Sequence, residues 1–214
     1  MPKLIDHAAR EVEVAEAAWR VAARDGVRGV SVRSVAAEAG LATASLRRAF
    51  PTQASLLAYC LDLARRRAAA RLADLDEVTG VDSACTVLAE LLPLDAGRRL
   101  EAEVQIALGV AALADADLRP VADAAHEDVA LACRYVVQAL TGGDPGRPAG
   151  GDPGKPAGDA TEDRVAHLHA LLDGLALHLV RRPPDAPTGW AVQVLREHLG
   201  ALAARTTQDP PRGS

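Results

Sequence analysis

Apolar residues recur at helical spacing along nearly the whole 214-residue chain, and no stretch shows the sustained alternation of a strand. Aromatic residues make up only 2% of the sequence, whereas apolar residues of all kinds make up 49%. A core built from Ala, Leu and Val lets helices approach each other closely. The sequence therefore predicts an all-α fold, with helices at about 6–25, 32–39, 43–50, 53–75, 82–93, 95–114, 117–140, 162–181 and 188–205.

Glycine, serine and proline mark several of these helix ends. Gly26 ends the first helix, and Ser31 is a good N-cap for the second. Gly40 suits the position after the last turn of the second helix, where a left-handed backbone is common. Pro51 stops the third helix, and the pair at 183–184 separates the last two.

Residues 142–157 are a tandem eight-residue repeat, GGDPGRPA followed by GGDPGKPA. Neither copy contains a side chain suited to a core, and the composition is typical of flexible linkers. The sequence predicts a flexible loop over 142–159 between two C-terminal helices, and a disordered tail over 207–214.

The charge is unevenly distributed. Residues 1–71 carry 12 Lys and Arg against 7 Asp and Glu, whereas residues 72–214 carry 12 against 22. The imbalance favours an anionic partner for the N-terminal part alone. No run of about 18 apolar residues suggests a membrane span, and the charged N-terminus is unlike a secretory signal, so the expected location is the cytoplasm, without a membrane partner.

Residues 31–50, SVRSVAAEAGLATASLRRAF, contain two helices too short to be stable alone. Ala36 and Ala39 are small enough to let these helices cross closely, and Gly40 permits a tight turn between them. This pattern is typical of a helix-turn-helix, in which the first helix braces the second and the second enters a major groove of DNA. From spacing alone, an ordinary helical corner with two solvated arginines is the alternative.

The outward face of the second short helix is polar. Thr43, Ala44, Arg47 and Arg48 lie on this face, with Ser45 at its side. An arginine reads guanine through two parallel hydrogen bonds, and hydroxyls suit phosphate oxygens. We expect Arg47 to contact a base edge and Arg48 a phosphate.

The stretch at 26–57 resembles the DNA-binding module of the TetR family of bacterial regulators. The shared positions are Gly26, Ser31, Val35, Ala36, Ala39, Gly40, Leu46, Phe50 and Leu56. The segments MPKLIDHAAR and VSVRSVAAEAG, and Arg47 with PTQ after Phe50, resemble the BetI-like subgroup, as do LLPLDAGRRLEAEV (91–104) and LHALLDGLALHLV (168–180). The chain departs from the family at Ala42, where a capping Ser is common, at Arg47 and Ala49, where an aromatic is common, and at Gln53, where Lys is frequent.

The resemblance implies a nine-helix TetR-type fold, with a helix-turn-helix DNA-binding domain at 1–51 and a ligand-binding and dimerisation domain at 52–206. It implies a ligand-responsive repressor that binds a palindromic operator as a homodimer and is released by a small-molecule effector. The candidate DNA-binding residues are Arg28, Ser31, Arg33, Thr43, Ala44, Ser45, Arg47, Arg48 and Gln53.

The C-terminal half supplies candidates for effector binding and dimerisation. Polar groups on otherwise apolar helices are Tyr59, Glu103, Gln105, His126, Tyr135 and His169, and any of them can orient an effector. Because few aromatic residues are available to cage a cation, we expect a largely apolar effector. The candidate dimer interface is Leu168, Leu172, Leu175, Leu179, Trp190 and Val194; an intrachain core is the alternative for this apolar stripe.

Two other functions are weaker alternatives. Ala42, Ala49 and Gln53 leave open a helical small-molecule-binding protein that has lost operator binding. An all-helical enzyme lacks support, because the sequence has no nucleophile–base spacing and no Gly-rich phosphate loop. His167 and His169 fall on different sides of a helix and no HExxH occurs, so we expect neither a metal nor a cofactor.

Overall fold

A computed structural model describes residues 7–142 and 157–207, with the side chains of 12–142 and 160–205. Within these ranges the chain forms nine α-helices, two short 3₁₀ turns and no strand, which confirms the all-α prediction. The helices are α1 (His7–Asp25), α2 (Val32–Glu38), α3 (Thr43–Ala49), α4 (Gln53–Ala73), α5 (Val81–Ala89), α6 (Ala96–Ala112), α7 (Arg119–Thr141), α8 (Ala157–Val180) and α9 (Gly189–Thr207).

Two helix boundaries differ from the predicted ones by four residues or more. Helix α5 ends at Ala89, and the next turns close with Leu91 N to Leu88 O (3.1 Å) and Leu92 N to Ala89 O (3.1 Å). The following Pro93 disfavours α-helical backbone at the residue before it. Helix α8 begins at Ala157 and so includes the end of the predicted loop. The rest of that loop, 143–156, and the predicted tail from 208 onwards lie outside the described residues.

The chain divides into two compact units. Unit 1 comprises Met1–Arg67 and Leu100–Ala125, and unit 2 comprises Ala68–Arg99 and His126–Ser214. Unit 1 therefore contains the short helices α2 and α3, whereas unit 2 contains α5, α8 and α9. Helices α4, α6 and α7 each contribute to both units.

Local hydrogen bonds explain why α2 begins and ends where it does. The Ser31 hydroxyl accepts from Ser34 N (3.1 Å) while the Ser34 hydroxyl accepts from Ser31 N (2.9 Å), forming a capping box. At the other end Gly40 has φ of +65°, Leu41 N donates to Ala36 O (2.8 Å) and Gly40 N donates to Ala37 O (3.3 Å). This pair of bonds is a Schellman motif. The predicted roles of Ser31 and Gly40 are confirmed.

Each unit has its own apolar core. In unit 1, α1 to α4 and α6 contribute buried side chains, among them Val21, Val35, Leu56, Val104 and Leu108. In unit 2 the core is formed by α5, α7, α8 and α9, with fully buried Leu88, Val136, Leu168, Leu195 and Leu199. The helices α2 and α3 are too short to be stable alone, and tertiary packing against the core of unit 1 stabilises them.

The three cysteines are buried and form no disulfide. Burial raises the pKa of Cys60 to about 12 and that of Cys133 to about 12. Because the thiolate is the reactive form, these two thiols are inert at neutral pH. Among the described helices, none has the length and apolar character needed to cross a bilayer.

Candidate DNA-binding surface and effector-binding residues

Helix α3 is anchored on one side and open on the other. Leu46 is buried on its inner face, and Phe50, which follows its last turn, is buried as well. Thr43, Ala44, Ser45, Arg47 and Arg48 are all exposed. The structure therefore places these five predicted residues together on the accessible face of one short helix.

Four arginines around α2 and α3 are exposed and unpaired. Arg28, Arg33, Arg47 and Arg48 form no ion pair or side-chain hydrogen bond within 12–142 and 160–205. Unpaired guanidinium groups retain all of their donors for an external anion. This set contains every arginine predicted to contact DNA.

The arginines of α1 and α4 whose side chains the structure describes are paired with carboxylates. Arg20 Nε and Arg24 Nη1 both donate to Glu38, at 2.8 Å and 2.9 Å. Arg66 lies 2.6 Å from Asp62 on the same helix, and Arg67 pairs with Glu16. Within residues 12–73, unpaired arginines are therefore confined to the region of α2 and α3.

Glu38 is a supporting residue that the sequence analysis missed. Its carboxylate joins the C-terminal end of α2 to α1, and the hydrogen bonds from Arg20 and Arg24 lower the pKa of Glu38. The spacing of Arg20 and Arg24, one helical turn apart, was the available signal. It could not identify the acidic partner, which lies on another helix.

The remaining predicted DNA-binding residues have mixed environments. The Ser31 hydroxyl is engaged in the capping box of α2, so its direct contribution is to hold that helix. Gln53 is exposed at the first position of α4, beside the reciprocal capping bonds of Thr52 and Ser55. Ala42 provides no side-chain cap for α3, as its identity indicated.

The predicted effector residues fall into two groups. Tyr59, Glu103 and Gln105 are half-buried in unit 1, on α4 and α6, and the Tyr59 ring lies 5.3 Å from that of Phe50. Tyr135 belongs to unit 2, where its hydroxyl accepts a hydrogen bond from Val78 N (3.3 Å). Helices α4 and α6 contribute to one apolar core, so the first three residues lie on helices that share a core.

His126 and His169, also in unit 2, are brought together by α7 and α8. Their ring centroids lie 4.3 Å apart. Burial lowers the pKa of His169, His126 acts in the same direction, and Asp173 opposes them. Asp173 was not predicted from the sequence, although its position four residues after His169 places it on the same helical face.

The predicted dimer residues require revision. Leu168, Leu172, Leu175 and Leu179 are at most 5% exposed within a single chain and belong to the core of unit 2. A side chain buried by its own chain has almost no surface left for a partner, so these four leucines are core residues. Trp190 is half-buried beneath the Arg182 guanidinium, at 4.5 Å, and Val194 is 36% exposed.

Comparison with known proteins identifies the family. Residues 14–60 match the family described as bacterial regulatory proteins, tetR family, and residues 82–204 match the BetI-type transcriptional repressor, C-terminal. The chain is 30% identical to the HTH-type transcriptional regulator PksA of Bacillus subtilis (strain 168), over 98% of this chain and 97% of that protein. The chain belongs to the TetR family. Its C-terminal match places it in the BetI-type subgroup.

Solved structures resemble this TetR-family chain over most of its length. A transcriptional regulator from Rhodococcus sp. Rha1 is 26% identical with a TM-score of 0.73, covering 91% of this chain and 96% of that one. The multidrug binding protein EbrR, complexed with ethidium, is 27% identical with a TM-score of 0.59, covering 89% and 98%. As a TetR-family member, the protein is a DNA-binding transcriptional regulator and not an enzyme.

Proposed function

We propose that this TetR-family regulator is a repressor that acts in the cytoplasm, binds a near-palindromic operator as a homodimer, and is released by a small-molecule effector. The observation that carries the proposal is the set of unpaired arginines around α2 and α3. The DNA-binding part is residues 1–51, and the effector-binding and dimerisation part is residues 52–206.

In the DNA complex, α3 of each protomer lies in a major groove. Arg47 forms two parallel hydrogen bonds with a guanine, a contact worth about 1–3 kcal/mol of discrimination between bases. Arg48, Arg28 and Arg33 contact phosphates, which fixes the position of α3 without reading sequence. Gln53, at the first turn of α4, donates to a further phosphate but adds no charge.

The effector binds near Tyr59, Glu103 and Gln105, on helices α4 and α6 of unit 1. The surrounding core is apolar, which suits a largely apolar molecule. Ethidium and proflavin, with which EbrR has been crystallised, are flat aromatic cations, and a half-buried carboxylate such as Glu103 can face their positive charge. The effector releases DNA only to the extent that it binds the non-operator conformation more tightly.

Helices α8 and α9 carry the dimer contact. Leu177 on α8 is 44% exposed and Val194 on α9 is 36% exposed. The neighbouring Leu175, Leu179 and Leu195 are buried. Exposed apolar side chains on these two helices are available to a second protomer, and a two-fold axis pairs them in a four-helix contact.

The DNA proposal is tested by gel shift against the region upstream of the protein's own gene. We expect the parent protein to shift this DNA and the Arg47→Ala/Arg48→Ala double variant to bind at least 30-fold more weakly, from about 2 kcal/mol of lost contacts. Arg66→Ala is the matched control, because Arg66 is exposed in the same unit but paired with Asp62. Absence of a shift for the parent at low salt would overturn operator binding.

Effector binding is measured by ethidium fluorescence with the protein alone, since ethidium also intercalates into DNA. We expect saturable binding that Glu103→Gln weakens by about tenfold, as lost charge pairing in a half-buried site predicts. Glu77→Gln, an exposed position in unit 2, is the control. Equal affinity in parent and Glu103→Gln would remove Glu103 from the site.

Dimerisation is measured by analytical ultracentrifugation. The Leu177→Glu/Val194→Glu double variant buries two charges in the proposed interface and is expected to be monomeric. Leu113→Glu changes a residue of unit 1 that is 78% exposed and is expected to remain dimeric. A parent protein that sediments as a monomer would contradict the proposed assembly.

A further inference from the structure

Three side chains with metal-ligating atoms converge in unit 2, outside the proposed DNA-binding surface. They are His126 on α7, and His169 and Asp173 on α8. One ligand atom from each lies within 4.8 Å of the other two. His169 Nε2 and Asp173 Oδ2 are 3.7 Å apart across one helical turn, and the two imidazole rings lie 4.3 Å apart.

The buried nitrogen of His169 lacks a partner in this arrangement. His169 is 7% exposed, and its Nε2 accepts or donates no hydrogen bond within the described part of the chain. The distance of 3.7 Å to Asp173 is too long for a hydrogen bond. A buried polar atom without a partner costs free energy, and such atoms in native proteins call for an explanation.

The donor atoms of the cluster are of the kinds that coordinate metal ions. Neutral imidazole nitrogen and ionised carboxylate are the forms that coordinate metals. The carboxylates of Asp173 and Glu127 also add negative potential at His169.

We propose that His126, His169 and Asp173 form a site for a divalent transition metal, with Zn²⁺ as the ion that best fits the donor set. Two imidazoles and one carboxylate suit Zn²⁺, whereas Mg²⁺ and Ca²⁺ prefer oxygen ligands alone. Three protein ligands leave a fourth position for water, as in open tetrahedral zinc sites. This inference revises the sequence-based expectation that the chain binds no metal, and it does not depend on the proposed repressor function.

The distances are close to those that zinc requires. Ligand atoms at about 2.0–2.1 Å from a tetrahedral ion lie about 3.3 Å from one another. His169 and Asp173 are already near that separation at 3.7 Å. His126 and Asp173 are both exposed, so their side chains are free to rotate toward the ion and close the remaining gap.

The sequence pattern did not reveal this site because two of its ligands are far apart in the chain. His126 and His169 are far apart in the sequence, and the short spacings of common zinc motifs do not connect them. The packing of α7 against α8 produces the cluster. A bound ion would join these two helices through a new cross-link, so its presence is detectable as increased thermal stability.

The test uses the full-length protein, freed of metal with a chelator and dialysed. ZnCl₂ is titrated by calorimetry and thermal unfolding, and CoCl₂ by visible absorption, since tetrahedral Co²⁺ absorbs much more strongly than the octahedral aqueous ion. We expect one equivalent of Zn²⁺ to bind and raise the Tm, and Co²⁺ to give the intense tetrahedral spectrum. MgCl₂ is expected to produce neither effect.

The variants His126→Gln and Asp173→Asn change exposed ligands and are expected to weaken Zn²⁺ binding at least tenfold while leaving the far-UV circular dichroism spectrum unchanged. His169→Gln is expected to remove the cobalt spectrum. His178→Gln, an exposed histidine on α8, is the matched control and is expected to bind as the parent does. Absence of stoichiometric binding by the parent, stabilisation by Mg²⁺ equal to that by Zn²⁺, or an equal loss in His178→Gln would each overturn the site.

Discussion

The arginines around α2 and α3 in unit 1 differ from Arg99 in unit 2 in how their guanidinium groups are engaged. Around α2 and α3, the guanidinium groups of Arg33, Arg47 and Arg48 are exposed and form no ion pair or side-chain hydrogen bond with the described side chains of 12–142 and 160–205. In unit 2, Arg99 donates to the carbonyl oxygens of Leu179 (3.0 Å) and Arg182 (2.9 Å), and also to that of Val180. An arginine engaged by its own chain stabilises the fold, whereas an unengaged one is available to an external anion.

The comparison explains why the net charge of a region is a weak guide to DNA binding. Residues 1–71 have an excess of basic residues, but the excess alone does not show which of them are available. In unit 1, Glu38 engages Arg20 and Arg24, which removes two cations and braces α2. The acidic residue Glu38 thus distinguishes two arginines that support the fold from those that we propose to contact DNA.

The largest effect is expected from removing an engaged arginine of unit 2. Arg99→Met removes a charged donor from three carbonyl groups at the C-terminal end of α8 and just beyond it. We expect a loss of about 3 kcal/mol in the free energy of unfolding, since hydrogen bonds to charged groups are stronger than neutral ones. For a chain of this size, the Tm should fall by about 6–12 °C in a thermal melt.

The control for this prediction is Arg181→Met. Arg181 is exposed near the same carbonyl groups, and its side chain makes no ion pair within the described ranges. We expect its Tm to match that of the parent. Equal destabilisation by both substitutions would show that Arg99 acts through general charge rather than through its hydrogen bonds. The contrast between Arg99 and the arginines around α2 and α3 would then not hold.

The next largest effect distinguishes the proposed roles of Arg47 and Arg48, which are adjacent on α3. Lysine keeps the positive charge but loses the planar pair of donors. Arg47→Lys should therefore weaken operator binding by about 2 kcal/mol and relax sequence preference at one base pair. Arg48→Lys should bind nearly as the parent does, because a phosphate accepts either cation. Competition gel shifts with single-base operator variants measure both effects, and equal losses would contradict the assignment of separate roles.

Most of the fold was predictable from the sequence because local signals determine it. The Schellman motif at Gly40 and the capping box at Ser31 follow from residue types at fixed offsets. The helical period of small apolar residues then defined nine helices. The boundary of α5 differed because the following Pro93 tightens the last turn, a competition that periodicity alone does not resolve.

The candidate sites were only partly predictable because they depend on contacts between helices. Sequence spacing shows that Leu168 and Leu172 share a face of α8, but it does not show whether that face meets another helix of the same chain or a second protomer. The structure buries both in the core of unit 2. Asp173 was missed for a related reason, since its significance depends on His126, which is contributed by a different helix.

A smaller effect concerns the salt dependence of DNA binding. Arg33 is exposed on α2 and unpaired within the described residues, and we expect it to contact one phosphate. Arg33→Gln should make the slope of log K against log salt concentration shallower by about 0.9. Arg66→Gln, which changes an arginine paired with Asp62, should leave the slope unchanged. Fluorescence anisotropy between low and moderate salt measures both slopes. A slope for Arg33→Gln equal to that of the parent would exclude the phosphate contact.

The smallest effect concerns the pH dependence of the ion pairs that Glu38 forms with Arg20 and Arg24. Hydrogen bonds from Arg20 and Arg24 lower the pKa of Glu38 in the folded protein. A carboxylate with a depressed pKa stabilises the fold fully above its unfolded value of about 4.3, and this contribution is lost as the pH falls through the lower, folded value. Parent protein should therefore be more stable than Glu38→Gln at pH 6, and the difference should shrink as the pH falls below about 4.3.

Urea unfolding of both proteins at a series of pH values measures this difference. Glu77→Gln is the matched control, because Glu77 is exposed and makes no ion pair in the ranges that the structure describes; its stability difference from the parent should stay near zero throughout. A difference between the parent and Glu38→Gln that persists unchanged at pH 3 would show that Glu38 acts through packing rather than charge. In that case the pairing of Arg20 and Arg24 would be incidental, and those two arginines would join the set available to DNA.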